Sequence, residues 1–138
     1  MPTVSRLTNI LLVDDDRSEV ESVQRAFAKA NIHDPLVVAA SGAEALEILR
    51  GPPVPRRLVL LDLKMPILDG LETLRLIRQD PQLSSVTVVV LSSSHKEQDR
   101  VAAFALHAAG YLFKPDDAED YVEMMVRLVR YWENVELL

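Results

Sequence analysis

The segment Leu58-Val59-Leu60-Leu61-Asp62 sets four apolar residues directly before a carboxylate. The arrangement recurs along the chain. Ile10-Leu11-Leu12-Val13 runs into Asp14-Asp15, Val88-Val89-Val90-Leu91 into Ser92, and Tyr111-Leu112-Phe113 into Lys114. Short runs that are apolar at successive positions fit strands buried on both faces, as in a parallel sheet covered by helices. The C-terminal ends of such strands share one edge, where ligands of open α/β sheets bind. Carboxylates, a hydroxyl and an ammonium spread from Asp14 to Lys114 would then meet in one pocket.

Working outward, strands are expected near 9–13, 35–40, 57–61, 86–91 and 111–113, with helices between them. Capping-box spacing marks helix starts at Asp16 with Glu19, Ser41 with Glu44, Ser94 with Glu97, and Asp116 with Glu119. Asp69-Gly70 reads as the turn that opens the third helix. Gly51 before Pro52-Pro53, Asp80 before Pro81, and Gly110 read as stops. Strictly alternating strands and helices give a five-stranded, doubly wound α/β domain with right-handed crossovers.

Composition narrows the class. The chain has 138 residues, 49% of them hydrophobic, which suits one domain with a substantial core. Without cysteine, neither a disulfide framework nor a thiolate metal site is possible. A net charge of −6 argues against nonspecific nucleic-acid binding, which needs a basic stripe. The sequence shows neither a signal peptide nor an apolar run of membrane-spanning length, so a soluble cytoplasmic protein is expected.

Asp14, Asp15 and Asp62 in one pocket would repel, so they either take up protons or recruit a cation. An all-oxygen donor set with no cysteine or paired histidine suits a hard cation, Mg²⁺ before Ca²⁺. Asp16 reads instead as a helix cap. The simpler reading of Asp14-Asp15 is a strand end that caps the next helix, and Asp62 on the adjacent edge tips the balance toward a shared site. Ser92 and Lys114 taken singly are ordinary loop chemistry and a solvated charge. Their position at two strand ends is what raises them: a phosphoryl group on Asp62 would need an ammonium and a hydroxyl beside the cation. His33, His95 and His107 have no ligand spacing.

These residues carry a family resemblance over nearly the whole chain. Val13-Asp14-Asp15, the block Leu61-Asp62-Leu63-Lys64-Met65-Pro66-Ile67-Leu68-Asp69-Gly70, Leu91-Ser92-Ser93, and Gly110-Tyr111-Leu112-Phe113-Lys114-Pro115 resemble the receiver domain of two-component response regulators. The resemblance implies a flavodoxin-like receiver fold with sheet order 2-1-3-4-5. It implies that Asp62 is the phospho-acceptor, and that Asp15, Asp62 and the Lys64 carbonyl coordinate Mg²⁺ directly, with Asp14 acting largely through water. Ser92 would bind the phosphoryl group, Lys114 would pair with its oxygens, and Tyr111 would turn inward as a switch when Ser92 moves. Lys64 and Ser94 would set the lifetime of the phosphorylated state. The Lys114–Pro115 bond is often cis in such domains. The chain would be a phospho-acceptor with weak self-phosphorylation and self-dephosphorylation, not an enzyme, and its donor a sensor histidine kinase.

Departures from the family pattern are Ser92 for the commoner threonine, Ser93 where alanine is usual, and Asp116 where phenylalanine often follows Lys-Pro. The last puts standard partner contacts in doubt. Residues 1–138 are expected to form a single receiver domain without an output domain, so signalling would pass through protein contacts. In the last helix, Tyr121, Met124, Leu128, Tyr131, Trp132 and Val135 belong to an apolar arc wider than the roughly 100° stripe one sheet face requires. The surplus is read as a homodimer surface, against the alternative that the aromatic end folds over its own domain. Tyr131-Trp132-Glu133-Asn134-Val135 and Asn31-Ile32-His33-Asp34-Pro35 also resemble the small regulators of phytochrome-type histidine kinases.

Rival readings are weaker. A phosphorylation-independent interaction module need not keep the acid, hydroxyl and lysine set. A haloacid dehalogenase phosphatase wants a second acid two residues after its nucleophile, where this chain has Lys64. A flavodoxin needs a phosphate loop that Asp14-Asp15-Asp16 would repel, and no Gly-x-x-x-x-Gly-Lys loop is present.

Overall fold

The computed structural model describes residues 6–135, so both ends of the expected 1–138 domain lie outside the described residues. Its elements alternate as β1 (Asn9–Val13), α1 (Arg17–Lys29), β2 (Leu36–Ala39), α2 (Gly42–Arg50), β3 (Arg57–Leu61), α3 (Gly70–Gln79), β4 (Thr87–Ser92), α4 (Glu97–Ala105), β5 (Gly110–Phe113) and α5 (Ala118–Glu133). The five strands form one parallel sheet in the order β2-β1-β3-β4-β5.

Successive side chains of a strand point to opposite faces, so an unbroken apolar run feeds two cores. Leu11, Val13, Val59, Leu61, Val88 and Val90 face α2 and α3, packing with Ala45, Leu46, Leu49, Leu74 and Ile77. Ile10, Leu12, Leu58, Leu60, Val89 and Leu91 face α1 and α5, packing with Val23, Phe27, Tyr121, Met125 and Val129. A fully buried side chain of this size contributes about 1.5–3 kcal/mol, so β1, β3 and β4 anchor the domain. The edge strands β2 and β5 are only partly covered.

Register sets the site. Val13 pairs with both Ala39 and Leu61. Asp14 and Asp62 therefore leave adjacent strands at the same level, with the Asp62 N–H donating to the Val13 carbonyl at 3.0 Å. Ser92 pairs with Phe113, and the Lys114 N–H donates to the Ser92 carbonyl at 2.9 Å.

Several helix ends differ from the sequence reading. Asp16 and Ser41 cap α1 and α2 as expected, accepting from Ser18 and Glu44 N–H groups, and Asp69, read as part of the turn that opens α3, is its cap, accepting from the Glu72 N–H. At Asp16 the reciprocal half of the box is replaced: its own N–H donates to Asp14 Oδ1 at 2.9 Å. Ser94 does not cap α4, which starts after Lys96 without a side-chain cap. Its hydroxyl donates to Asp99 at 2.5 Å instead. The cap of α5 is Asp117, not Asp116, accepting from Glu119 and Asp120 N–H groups. Helix α4 ends at Ala105 and Gly110 opens β5, so Gly110 is no helix stop. Among the described residues no peptide bond is cis, which makes Lys114–Pro115 trans. No helix among them is long and apolar enough to cross a membrane.

Candidate functional site

Asp14 and Asp15 follow β1 and Asp62 follows β3, and one carboxylate oxygen from each lies within 4.8 Å of the others. Asp14 and Asp62 are buried, while Asp15 is exposed at the mouth. Lys114, delivered by β5 from the far edge, reaches back across the strand ends. Its Nζ stands 3.2 Å from Asp14 Oδ2, 3.5 Å from Asp62 Oδ1 and 3.7 Å from Glu19 Oε2. The Asp62 carboxylate is fixed further by the Lys64 N–H, 3.4 Å from its Oδ1.

The charges set one another. Burial pushes Asp62 up to about 6, and the Asp14 carboxylate adds to this, while Lys114 opposes it. Burial alone would pull Lys114 down, but Asp14, Asp62 and Glu19 outweigh it and hold the ammonium above its usual range. Three close carboxylates against one ammonium leave excess negative charge in a nest of oxygen donors. That donor chemistry fits a divalent hard cation, with Asp14, Asp15 and Asp62 as the holding set.

Ser92 is fully buried, and its Oγ accepts from the Ser94 N–H at 3.0 Å. Tyr111, half-buried, donates its phenol hydrogen to the Ser94 carbonyl at 3.0 Å. Ser92, Ser94 and Tyr111 are thus joined through one short turn. Lys64 itself is exposed.

Sequence reasoning missed two members of this neighbourhood. Glu19 read as a capping partner, yet it pairs with Lys114, a contact that only the packing of α1 against the strand ends creates. Asp99, unmarked in sequence, holds Ser94. A further expectation is corrected: Tyr121 is no surface residue. It is buried among Met125 and Val129 over the sheet, and burial raises its phenol, with Glu19, Asp14 and Asp62 adding to the shift. The remaining residues of that arc divide. Tyr131 is exposed, Met124 and Leu128 are half-buried beside Leu112, and Trp132 packs onto the core edge. Val135 is not on the helix at all: α5 ends at Glu133, and the Val135 carbonyl beyond it accepts from Arg56 at 2.8 Å.

The family model described as the response regulator receiver domain matches residues 10–126. Among relatives, the response regulator Rcp1 of Synechocystis is 35% identical over 129 residues, spanning 89% of this chain and 87% of Rcp1. The crystal structure of Rcp1 in its Mn²⁺-bound form superposes with a TM-score of 0.83, covering 95% of this chain and 99% of that one. The phosphorylated cyanobacterial phytochrome response regulator RcpA gives 0.85 at 30% identity, covering 95% and 98%. RPA3017, a response regulator in red light signaling of R. palustris, gives 0.85 at 31% identity, covering 96% and 99%.

Proposed function

The chain belongs to the response regulator receiver family of two-component signalling, and from this premise we propose that it works as a phospho-acceptor on Asp62. The observation that carries the proposal is the meeting of Asp62 with two further carboxylates and the Lys114 ammonium at one sheet edge. Held near 6, the Asp62 carboxyl is ionised at neutral pH and can attack. Its oxygen bonds to phosphorus in line as the phosphorus–nitrogen bond of a phosphohistidine breaks, and the imidazole leaves with a proton from solvent. Mg²⁺ held by Asp14, Asp15, Asp62 and the Lys64 carbonyl would offset charge on the transferring group. Lys114 neutralises a second side. Ser92 Oγ would turn to donate to a phosphoryl oxygen, giving up the Ser94 N–H. Tyr111, bonded to the Ser94 carbonyl, would follow that rearrangement inward. Weak self-phosphorylation from small donors and slow hydrolysis follow from the same site, with Lys64 and Ser94 setting the lifetime.

The donor is a sensor histidine kinase, and a phytochrome-type kinase is favoured by the likeness to RcpA and RPA3017. Output runs through protein contacts. A homodimer through α5 is favoured by exposed Tyr131 with Met124 and Leu128, beside the groove they form with Leu112. Neither DNA nor a membrane is a partner, and the cytoplasm is the compartment. The intact acid, hydroxyl and lysine set speaks against a phosphorylation-independent module. The test is borohydride trapping after incubation with acetyl phosphate and Mg²⁺. Reduction of the acyl phosphate should convert Asp62, and no other residue, to homoserine in the peptide map. Conversion elsewhere would refute the assignment.

A further inference from the structure

The loop from β3 to α3 carries a large apolar side chain that neither core uses and that has no part in the acidic pocket. Ile67 is completely exposed, at 105% of its reference area. Its backbone sits at φ 69°, and the Leu68 N–H donates to the Pro66 carbonyl at 2.9 Å. A bond from residue i+2 to residue i around a centre at positive φ is a γ-turn of the rare, strained kind. A β-branched side chain there is an outlier, because Cβ crowds the backbone, and glycine would fill the position without that cost.

Three other non-glycine residues have positive φ, and each is accounted for locally. Asn31 is of a type that tolerates the region. Arg56 is anchored by guanidinium bonds to the Trp132 and Val135 carbonyls. His107 closes α4, its carbonyl accepting from Arg78 and its N–H donating to the Phe104 carbonyl. Ile67 has no such anchor. A single exposed apolar residue is ordinary on any surface. A single exposed apolar residue on a strained backbone, where folding alone favours glycine, marks a feature kept for use.

Its place indicates the use. The loop leaves the sheet at Asp62 and is fastened there, with the Lys64 N–H on Asp62 Oδ1 and the Gly70 N–H on the Leu63 carbonyl at 2.9 Å. The exposed side chains nearest the acidic pocket on this side, Asp15 at its mouth and Lys64 in the loop itself, are polar. A protein donor must bring a phosphohistidine within bonding reach of Asp62, so its surface has to cover this edge of the sheet. A small phosphodonor does not.

We propose that Ile67 is a specificity-determining contact for the protein phosphodonor, seated in an apolar recess beside the phosphohistidine. An apolar anchor within a polar rim is the usual division of labour at a protein interface. The inference rests on Asp62 being the acceptor.

The test compares wild type, Ile67→Gly and Ile67→Leu. The donors are acetyl phosphate and the autophosphorylated cores of the source organism's own sensor kinases. Ile67→Gly should melt about 3 °C higher, since strain is relieved. It should react with acetyl phosphate within twofold of wild type. It should accept from the kinase that labels wild type fastest at least tenfold more slowly. Ile67→Leu, which keeps the apolar bulk, should stay within threefold on every donor. Equal kinase transfer to Ile67→Gly and wild type would overturn the inference. Failure of both donor types to label wild type would overturn the acceptor reading instead, and this inference with it.

Discussion

Gly70 offers the sharpest link between packing and the proposed acceptor, Asp62, and Gly70→Ala tests it. A Cβ at this position would stand 2.2 Å from the Asp62 carbonyl oxygen, 2.6 Å from Leu63 Cα and 2.9 Å from the Asp62 carbonyl carbon. Ordinary contact begins at 3.4 Å, so the closest approach is short by about 1.2 Å. All three neighbours are backbone, and the Gly70 N–H to Leu63 bond holds the two segments together. No side chain can turn aside, so α3 must lift or the end of β3 must shift. Overpacking of this kind costs about 1–3 kcal/mol, and a backbone collision belongs at the top of that range. Gly42→Ala is the control. Its Cβ would come as close, 2.1 Å from Thr73 Oγ1, but the neighbours are side chains of Thr73 and Leu68. Rotating Thr73 sacrifices its hydroxyl bond to the Asp69 carbonyl, which is worth about 1 kcal/mol. Urea denaturation should therefore give a loss of about 3 kcal/mol for Gly70→Ala and about 1 kcal/mol for Gly42→Ala. Gly70→Ala should also slow phosphorylation by acetyl phosphate, because the displaced backbone carries Asp62. Equal losses, or a Gly70→Ala within about 0.5 kcal/mol of wild type, would refute the reasoning.

Asp62 is raised from 3.8 to about 6 in the fold, so the stability it contributes is full below pH 3.8 and lost as pH rises through about 6. In chelator, Asp62→Asn should be more stable than wild type at pH 7.5 by about 1–2 kcal/mol after allowance for solvent screening at the pocket mouth, and equal to it near pH 4. A difference that does not change with pH would contradict this. Asp34, also pushed up to about 6 by burial with Glu133 adding, has the same sign. Asp34→Asn should gain about 1 kcal/mol at pH 7.5 and nothing near pH 4, read from paired denaturation curves. Arg56→Ala removes two guanidinium bonds, to the Trp132 carbonyl in the last turn of α5 and to the Val135 carbonyl just beyond it, and should cost about 1–3 kcal/mol. The emission of Trp132 should shift to the red as the helix end loosens, and unchanged emission would count against that anchor.

Much of the fold was legible because apolar runs ending in polar residues fix both strand identity and strand end. The pairing of Val13 with Leu61 then delivers Asp14 and Asp62 to one place without further information. Helix starts were legible where the cap is local, as at Ser41 and Asp69. They were not where the helix starts later than the capping pattern suggests. Ser94 has capping spacing, but α4 starts after Lys96, and the Ser94 oxygen accepts from the Lys96 N–H in the turn before it while its hydroxyl donates to Asp99. Asp116 and Asp117 offer the same chemistry one residue apart, and nothing local chooses between them. The wheel of α5 gave the width of its apolar arc but not its phase against the sheet, so Tyr121 read as surface and is core. Glu19 reaches Lys114 only through tertiary packing. The strain at Ile67 is a backbone property that no residue pattern announces, since glycine is the expected occupant.

The central claim, that Asp62 accepts a phosphoryl group in a cation-dependent pocket, is met most directly by intact mass after incubation with acetyl phosphate. Wild type and Asp62→Asn would be compared with Mg²⁺ and with chelator. One phosphoryl adduct on wild type, only with Mg²⁺, and none on Asp62→Asn is the predicted result. An adduct of equal yield on Asp62→Asn, or one indifferent to chelation, would contradict the account.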